Sequence, residues 1–334
     1  MTIINKQICL ASRPVGVPKD SDFQLIEAPA GEPGKGEVLI ETQWASVDPY
    51  MRGRMNDTKS YIPPFQIGEP AGGGSVGKII KTNSDILAEG DIVMGDFGWQ
   101  SHPVRGDKTL QKIDPALAPV QTSIGILGMP GMTAYFGLLD ICDPKEGETL
   151  FVSGAAGAVG SIVGQIGKIK GCRVVGSAGS DEKVALLTEK YGFDAAFNYK
   201  TSGDFTAKLA ELCPKGIDCY FDNVGGDMLD AAMMNLNPFA RISLCGAISM
   251  YNATSIETGP RLSMLLIGNM TKMQGFIVTQ FAARFPEGIA QMAEWIKEGK
   301  INYQETVTEG IENTPAAFMG MLRGDNIGKQ LVKV

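Results

Sequence analysis

The chain of 334 residues has one histidine, His102, and its six cysteines (Cys9, Cys142, Cys172, Cys213, Cys219, Cys245) form no CxxC pair. Zinc sites need clustered thiolate and imidazole ligands, and catalytic ones combine three protein ligands with an open position. One imidazole and scattered thiols do not build that, so no metal site is expected. The same scatter offers no disulfide framework and fits thiols kept reduced in the cytoplasm. Long apolar runs are missing as well. "GILGMPGMTAYFGLLDI" is broken by Gly and Pro, and no stretch reaches the roughly 20 residues of a membrane span. "MTIINKQICLASRPVG" lacks the apolar core and cleavage site of a signal peptide. Positive charge is in deficit, with a formal net charge of −7, which speaks against a nucleic-acid partner. What is left, 44% apolar and 20% charged residues, is the composition of a globular protein long enough for one large domain or two ordinary ones.

The grammar of the chain changes near residue 126. Before it, "GEVLIETQWASVD", "GGGSVGKIIKTN" and "EGDIVMGDFGWQSHPV" read as short strands punctuated by Gly, Pro, Asn and Asp, as in a compact β domain. After it, strands are expected at 149–153, 173–177, 195–198, 217–222, 241–244 and 273–276, with helices at 158–170 and 181–191 among them. That alternation predicts an α/β architecture, a doubly wound parallel sheet with helices on both faces. A helix over "PEGIAQMAEWIKEG" closes at Gly299. The tail "QLVKV" reads as a strand returning to the N-terminal domain.

Within "TLFVSGAAGAVGSIVGQIGKIKG" a strand, a glycine turn and a helix follow one another, with Ala155 at the first glycine of the usual GxGxxG. Gly157 would let the backbone approach a pyrophosphate, Gly160 would let the helix pack on the sheet, and Ala158 and Val159 lie between them. N–H groups at a helix start favour an anion. The same glycines would also serve a turn that only packs. NAD sites usually place an acid about 20 residues on, at the end of the second strand. Here "VVGSAGS" has none, and "SDEK" follows. Ser180 is a good N-cap, which puts Lys183 in the first helical turn, against the helix dipole. A 2′-phosphate between Ser180, Lys183 and the helix start would resolve that conflict, so NADPH is favoured over a merely solvated lysine.

With these residues in view, the chain resembles the zinc-independent medium-chain dehydrogenase/reductases, in the group of prostaglandin reductases (leukotriene B4 12-hydroxydehydrogenase), curcumin reductases and plant alkenal reductases. "VDPYMRGRMN", "LGMPGMTAYFGLLDI", "GAAGAVGS", "GSDEK", "FDNVGG", "CGAISMYN" and "AAFMGMLRGDNIGK" carry the resemblance nearly end to end. It implies a GroES-like β domain at 1–125 plus 302–334, interrupted by a Rossmann domain at 126–301. Where zinc-dependent relatives carry GHE, this chain has Gly68-Glu69-Pro70. The resemblance extends the cofactor contacts to Tyr199, Asn223, Asn326, Cys245, Gly246, Ala247, Ile248, Ser249, Tyr251, Phe276, Ile277 and Val278. It also implies a homodimer.

Reduction of an enone asks little of the protein. Hydride goes to the β-carbon, the charge spreads over an enolate, and a hydroxyl donor can stabilise the oxygen. Tyr50, Tyr61 and Tyr251 match pocket positions of the curcumin-reductase-like members and are neutral donors at pH 7. Each could instead be an aromatic whose hydroxyl is tied to backbone. "LLIGNMTKMQGF" lacks the tyrosine that mammalian prostaglandin reductases have there, which separates this chain from their eicosanoid specificity. Trp44, Met51 and Phe65 would form an apolar wall or core, and His102 reads as structural. The expected activity is NADPH-dependent reduction of the C=C bond of α,β-unsaturated ketones and aldehydes, with the substrate in the cleft between domains. An NADPH quinone reductase and a non-catalytic NADPH-binding protein are the alternatives.

Overall fold

The computed structural model describes residues 2–334. It divides into two compact units, one made of the chain through Gly125 together with Glu305–Val334, the other of Ile126–Gln304. In chain order the first unit holds β1 (Ile4–Leu10), β2 (Phe23–Pro29), β3 (Glu37–Ser46), β4 (Gly74–Thr82), β5 (Ile92–Asp96), β6 (Val104–Gly106) and β7 (Gln111–Ile113). The second holds β8 (Thr149–Val152), β9 (Arg173–Ala178), β10 (Ala195–Asn198), β11 (Ile217–Asp222), β12 (Leu236–Leu244) and β13 (Lys272–Gly275). β14 (Glu305–Glu309) and β15 (Lys329–Lys333) return to the first unit.

The first unit is built on a sheet of order β14-β15-β3-β4-β5-β7, with β6 also on β3. The tail strand β15 pairs antiparallel with β3, Leu331 opposite Ser46, and parallel with β14. Val38 and Ile40 of β3 are buried with Ile79, Val93 and Phe97. A second cluster gathers Met51, Phe65, Trp99 and Phe318, and the Trp99 indole donates to the Ser46 carbonyl at 3.1 Å. Met51 and Phe65 are thus core side chains, while Trp44 is partly buried against Val76, Ile124 and Leu331. His102 is held by neighbours: its backbone N–H donates to Asn5 Oδ1 and its Nδ1 lies 3.0 Å from Ser101 Oγ.

The second unit is an all-parallel sheet of order β10-β9-β8-β11-β12-β13. Counted along the chain this is 3-2-1-4-5-6, the doubly wound order whose winding reverses beside the first strand. β8 is buried at every position, as a central parallel strand covered on both faces must be. The helix Gly160–Ile169 is buried around most of its circumference, the pattern of a helix packed inside a domain rather than on its surface. The helix Phe285–Lys297 instead buries Gly288, Met292 and Trp295 on one stripe and closes at Gly299, whose φ is +71°.

Several sequence expectations shift in detail. β12 starts five residues earlier than expected, because Pro238 and the left-handed Phe239 interrupt its pattern without ending it. β13 stops a residue short, and the helix after the glycine turn starts at Gly160 rather than 158. The helix over 285–297 is followed by another, Thr314–Arg323, which enters on Pro315 and leaves through Gly324 at φ +77°. Among the described residues, no helix is long and apolar enough to cross a membrane.

All six cysteines are free thiols, and all but Cys245 are buried. Burial pushes the Cys172 thiol pKa up to about 11, with Glu148 adding to the effect. The Cys213 thiol rises to about 12 for the same reason, and Cys245, beside Asp222, also to about 12.

At the amino edge of the parallel sheet, Arg241 makes two hydrogen bonds to Glu148, at 2.8 and 2.6 Å, and donates to the Cys142 carbonyl at 2.7 Å. Burial alone would raise the Glu148 pKa. Hydrogen bonds from Arg241 and the Lys145 N–H outweigh it, and the carboxyl lies below its ordinary 4.5. A depressed folded pKa gives stability that is fully present above 4.5 and lost as pH falls through the folded value. Glu148→Gln is expected to lower stability by about 1–3 kcal/mol near neutrality and to flatten the acid limb of the profile, read by urea unfolding across pH 3–7.

Candidate active site

The candidate cofactor residues of the second unit all lie just past the carboxyl ends of its parallel strands. The turn with Gly157, Ala158, Val159 and Gly160 follows β8, Ser180 follows β9, Tyr199 follows β10 and Asn223 follows β11. Cys245 to Tyr251 follow β12, and Phe276 to Val278 follow β13. Ligands of open α/β sheets bind there, at the point where the strand order reverses, and that point is between β8 and β11.

The glycine turn is tight at one place above all. A Cβ on Gly160 would lie 2.5 Å from the Gly154 carbonyl oxygen and 2.8 Å from Ala155 Cα, and one on Gly157 would lie 3.3 Å from the same oxygen. Gly160 is therefore required for the helix to start directly over the turn. Gly154 has φ +59° and begins the reversal. The Ala155 N–H is tied to the Ser177 carbonyl at 2.8 Å, which locks the turn to β9.

At the end of β9 the Ser180 hydroxyl caps the helix Asp181–Glu189, accepting the Lys183 N–H at 3.3 Å. Asp181, one of the two acids beside it, takes a hydrogen bond from Asn198 at 2.8 Å. Lys183 is only 9% exposed, so its side chain lies against the protein rather than in solvent. Tyr199 presents its hydroxyl to Gly179, where a Cβ would come within 2.8 Å of that oxygen. Gly179, Ser180, Lys183 and Tyr199 thus form one polar corner at the ends of β9 and β10, with no acid at the end of β9.

At the end of β11 the organising group is Asp222, which is 1% exposed. Its Oδ1 accepts from Ser153 Oγ (3.0 Å), the Tyr220 hydroxyl (2.7 Å) and the N–H groups of Val224 and Gly225 (2.9 Å each). Its carbonyl accepts the N–H groups of Cys245 and Gly246, at 2.9 and 3.0 Å. Asn223 donates its Nδ2 to the Ser153 carbonyl at 2.8 Å and its N–H to Ser153 Oγ at 3.0 Å. The carboxylate therefore ties the loops after β8 and β11 together, and the carbonyl of the same residue ties in the loop after β12. Ile248 and Ser249 are tied back to the Asn223 and Val224 carbonyls. The Tyr251 hydroxyl accepts the Ala247 N–H at 3.4 Å, which turns the ring onto its own loop. Phe276 is buried edge-on to Phe221, Val278 is buried, and Ile277 is 38% exposed.

In the first unit, Tyr50 sits at the head of a short helix, Met51–Arg54, with its hydroxyl over Gly73, where any Cβ would collide with it. Burial, with Asp48 and Asp96 nearby, pushes the Tyr50 pKa well above its ordinary value. Arg54 covers Phe65 at 4.1 Å from the ring centre, donates to the Pro63 carbonyl at 3.1 Å and pairs with Asp96 at 3.8 Å. Tyr61 is 61% exposed on the segment that leads to Phe65. Asn326 donates to the Gly328 carbonyl at 2.8 Å, which shapes the turn into β15.

Asp222, Ser153 and Tyr220 are not among the site residues expected from the sequence, although Asp222 lies within "FDNVGG". A signal was present, since an acid ending an apolar strand must find several donors if it is buried. No comparable signal marks Arg54.

Fold and site together define a dinucleotide-binding oxidoreductase architecture. Residues 6–113 match a family model described as the N-terminal domain of oxidoreductase, and residues 158–297 one described as zinc-binding dehydrogenase. YfmJ of Bacillus subtilis is 55% identical over 336 residues, covering 100% of this chain and 99% of that protein. The NADPH-dependent curcumin reductase of Escherichia coli is 47% identical, covering 99% of this chain and 97% of its own length. The crystal structure of CurA in complex with NADPH from Vibrio vulnificus superposes with a TM-score of 0.95 at 45% identity, covering 98% of this chain and 99% of that one. The chain belongs to the zinc-independent group of the medium-chain dehydrogenase/reductase family. Among the described residues, no group of three or more His, Cys, Asp or Glu is placed to hold a metal ion.

Asp222→Ala would leave two backbone N–H groups and two hydroxyls without their shared acceptor. The expected loss is at least about 3 kcal/mol, each orphaned donor costing about 1–3 kcal/mol, measured by urea unfolding. A loss below about 1 kcal/mol would show that water replaces the carboxylate.

Proposed function

We propose that this protein uses NADPH to reduce the carbon–carbon double bond of α,β-unsaturated ketones and aldehydes. The observation that carries the cofactor choice is the polar corner of Ser180, Lys183 and Tyr199 beside Gly179, at a strand end that has no acid. An NADP-type 2′-phosphate fits that corner, whereas a ribose 2′-OH would want a carboxylate there. The relatives point to the same reaction class: one is named NADPH-dependent curcumin reductase and another, 44% identical, 2-alkenal reductase (NADP(+)-dependent).

Gly157, Ala158, Val159 and Gly160 would hold the pyrophosphate with the first N–H groups of their helix. Asn223, the loop from Cys245 through Gly246, Ala247, Ile248 and Ser249 to Tyr251, the segment of Phe276, Ile277 and Val278, and Asn326 would hold the nicotinamide half. Bound NADPH supplies a hydride for the β-carbon of the enone. The protein's part is to orient the substrate and to place a donor at the oxygen where enolate charge develops. Tyr50 suits that role because its raised pKa keeps the proton on the phenol, as a hydrogen-bond donor rather than a proton source. Tyr251 and Tyr61 are the other candidate donors, and protonation of the α-carbon falls to one of them or to water. A cytoplasmic homodimer belongs to the same proposal. The unpaired cysteines support a reducing compartment, and the dimer rests on family resemblance.

The test follows NADPH or NADH consumption with 3-nonen-2-one, trans-2-nonenal and a simple quinone in turn. Enone turnover with NADPH in clear preference to NADH is expected. Quinone turnover alone would replace this reading with quinone reduction, and tight NADPH binding without turnover would replace it with a binding role. Lys183→Ala should raise the KM for NADPH roughly 10-fold or more, the worth of a charge-assisted hydrogen bond of about 1.5–3 kcal/mol, and leave that for NADH unchanged. Tyr50→Phe should lower kcat on the order of 10-fold or more with little change in the KM for NADPH. An unchanged kcat would move the donor role to Tyr251 or Tyr61.

A further inference from the structure

Lysine is almost never fully buried unless paired, yet Lys329 and its partner Asp48 expose only 6% and 7% of their side chains. All three ammonium donors are used. They go to Asp48 Oδ1 at 3.0 Å, the Val47 carbonyl at 2.8 Å and the Gln330 carbonyl at 2.9 Å. The other carboxylate oxygen of Asp48 accepts the Ser46 hydroxyl. A buried ion pair is weak evidence for stability, because well-packed apolar side chains of similar volume often do as well or better. Its distinctive property is direction: three fixed donors accept only one arrangement of the chains around them.

Two chain segments meet at this pair. On one side, Asp48 leads through Pro49 to Tyr50, and its carbonyl accepts the Met51 N–H at 3.2 Å while its own N–H faces Met51 Sδ at 3.4 Å. On the other, Lys329 follows Gly328 (φ +66°), whose carbonyl holds the Asn326 side chain. Ile327, between them, is pinned to Thr306 in both directions, at 2.8 and 3.0 Å. Burial lowers the Lys329 pKa, while Asp48 and Glu305 act to keep the ammonium charged.

We propose that Lys329 is a positioning residue, which through Asp48 sets the loop of Tyr50 and the loop of Asn326 relative to each other from one buried point. This rests on the reading that Asn326 meets NADPH and Tyr50 meets the enone. The inference adds that their placement depends on a group that touches neither ligand.

The experiment compares Lys329→Met, Asp48→Asn and the double variant K329M/D48N with the native protein. Thermal melting, the Kd for NADPH by fluorescence titration and kcat with 3-nonen-2-one are measured on each. Each single variant strands a buried partner and should melt early. The double variant removes both charges and should recover much of the melting temperature. The proposal expects its NADPH Kd to stay at least threefold above native and its kcat at least tenfold below. A double variant that melts near the native temperature and keeps either value would overturn the clamp. Should the double variant fail to fold, Ser46→Ala loosens the Asp48 carboxylate alone. It should lower the melting temperature by less than either charge variant, leave the protein folded and lower kcat at least threefold, and an unchanged kcat would overturn the proposal. A native protein that binds NADPH but turns over no enone would sink the reductase reading, and the Kd measurement would still judge the clamp.

Discussion

The second unit depends on one oxygen atom. Asp222 Oδ1 collects two hydroxyls and two backbone N–H groups, and the carbonyl of the same residue collects two more. Parallel strands end without hairpins, so the loops at a carboxyl edge have no ladder to hold them in register. A buried carboxylate at the end of the strand beside the winding reversal does this job. It holds Ser153, ahead of the glycine turn, and the Val224–Gly225 backbone, while the carbonyl of the same residue holds the start of the 245–251 loop. The desolvation of that charge is offset only because every donor arrives together.

The opposite edge of the same sheet carries the Glu148–Arg241 pair and its contacts to the Cys142 and Asp143 carbonyls. The two ends of the strands are thus organised differently, the amino edge by this ion pair and the carboxyl edge by loops gathered on Asp222. The first unit applies a related solution to a different problem. There a buried lysine, rather than a carboxylate, joins a loop early in the chain to one near its end, along the β3–β15 pairing.

Much of this was legible in the sequence. β10 and β11 fall where the apolar pattern puts them: β11 is buried at every position but Asp218, and β10, an edge strand that buries only Phe197, is a short apolar run bounded by turns. The glycine turn was legible because its spacing is dictated by backbone contact, as the approach of Gly160 to Gly154 shows. Ser180 was legible because a capping hydroxyl has a strong positional preference. Other features were hidden for equally physical reasons. β12 runs through Pro238 and a left-handed Phe239, which read as a break. Nothing local in "GDNIGK" marks Lys329 as buried, since its burial depends on Asp48, some 280 positions away. The folding-back of Tyr251 onto Ala247 is set by a hydroxyl-to-backbone contact that no residue pattern encodes.

The state of the thiols takes on meaning beside the proposed chemistry. α,β-Unsaturated carbonyls are Michael acceptors, and the nucleophile they alkylate in proteins is the thiolate, not the thiol. An ordinary cysteine is a few per cent thiolate at neutral pH. Thiols raised to about 11 or 12, as Cys172, Cys213 and Cys245 are, hold roughly a hundredfold to a thousandfold less of the reactive form. Cys9, Cys142 and Cys219 are out of solvent altogether. The thiols are therefore kept by the fold in a form poorly reactive toward the electrophiles of the proposed reaction.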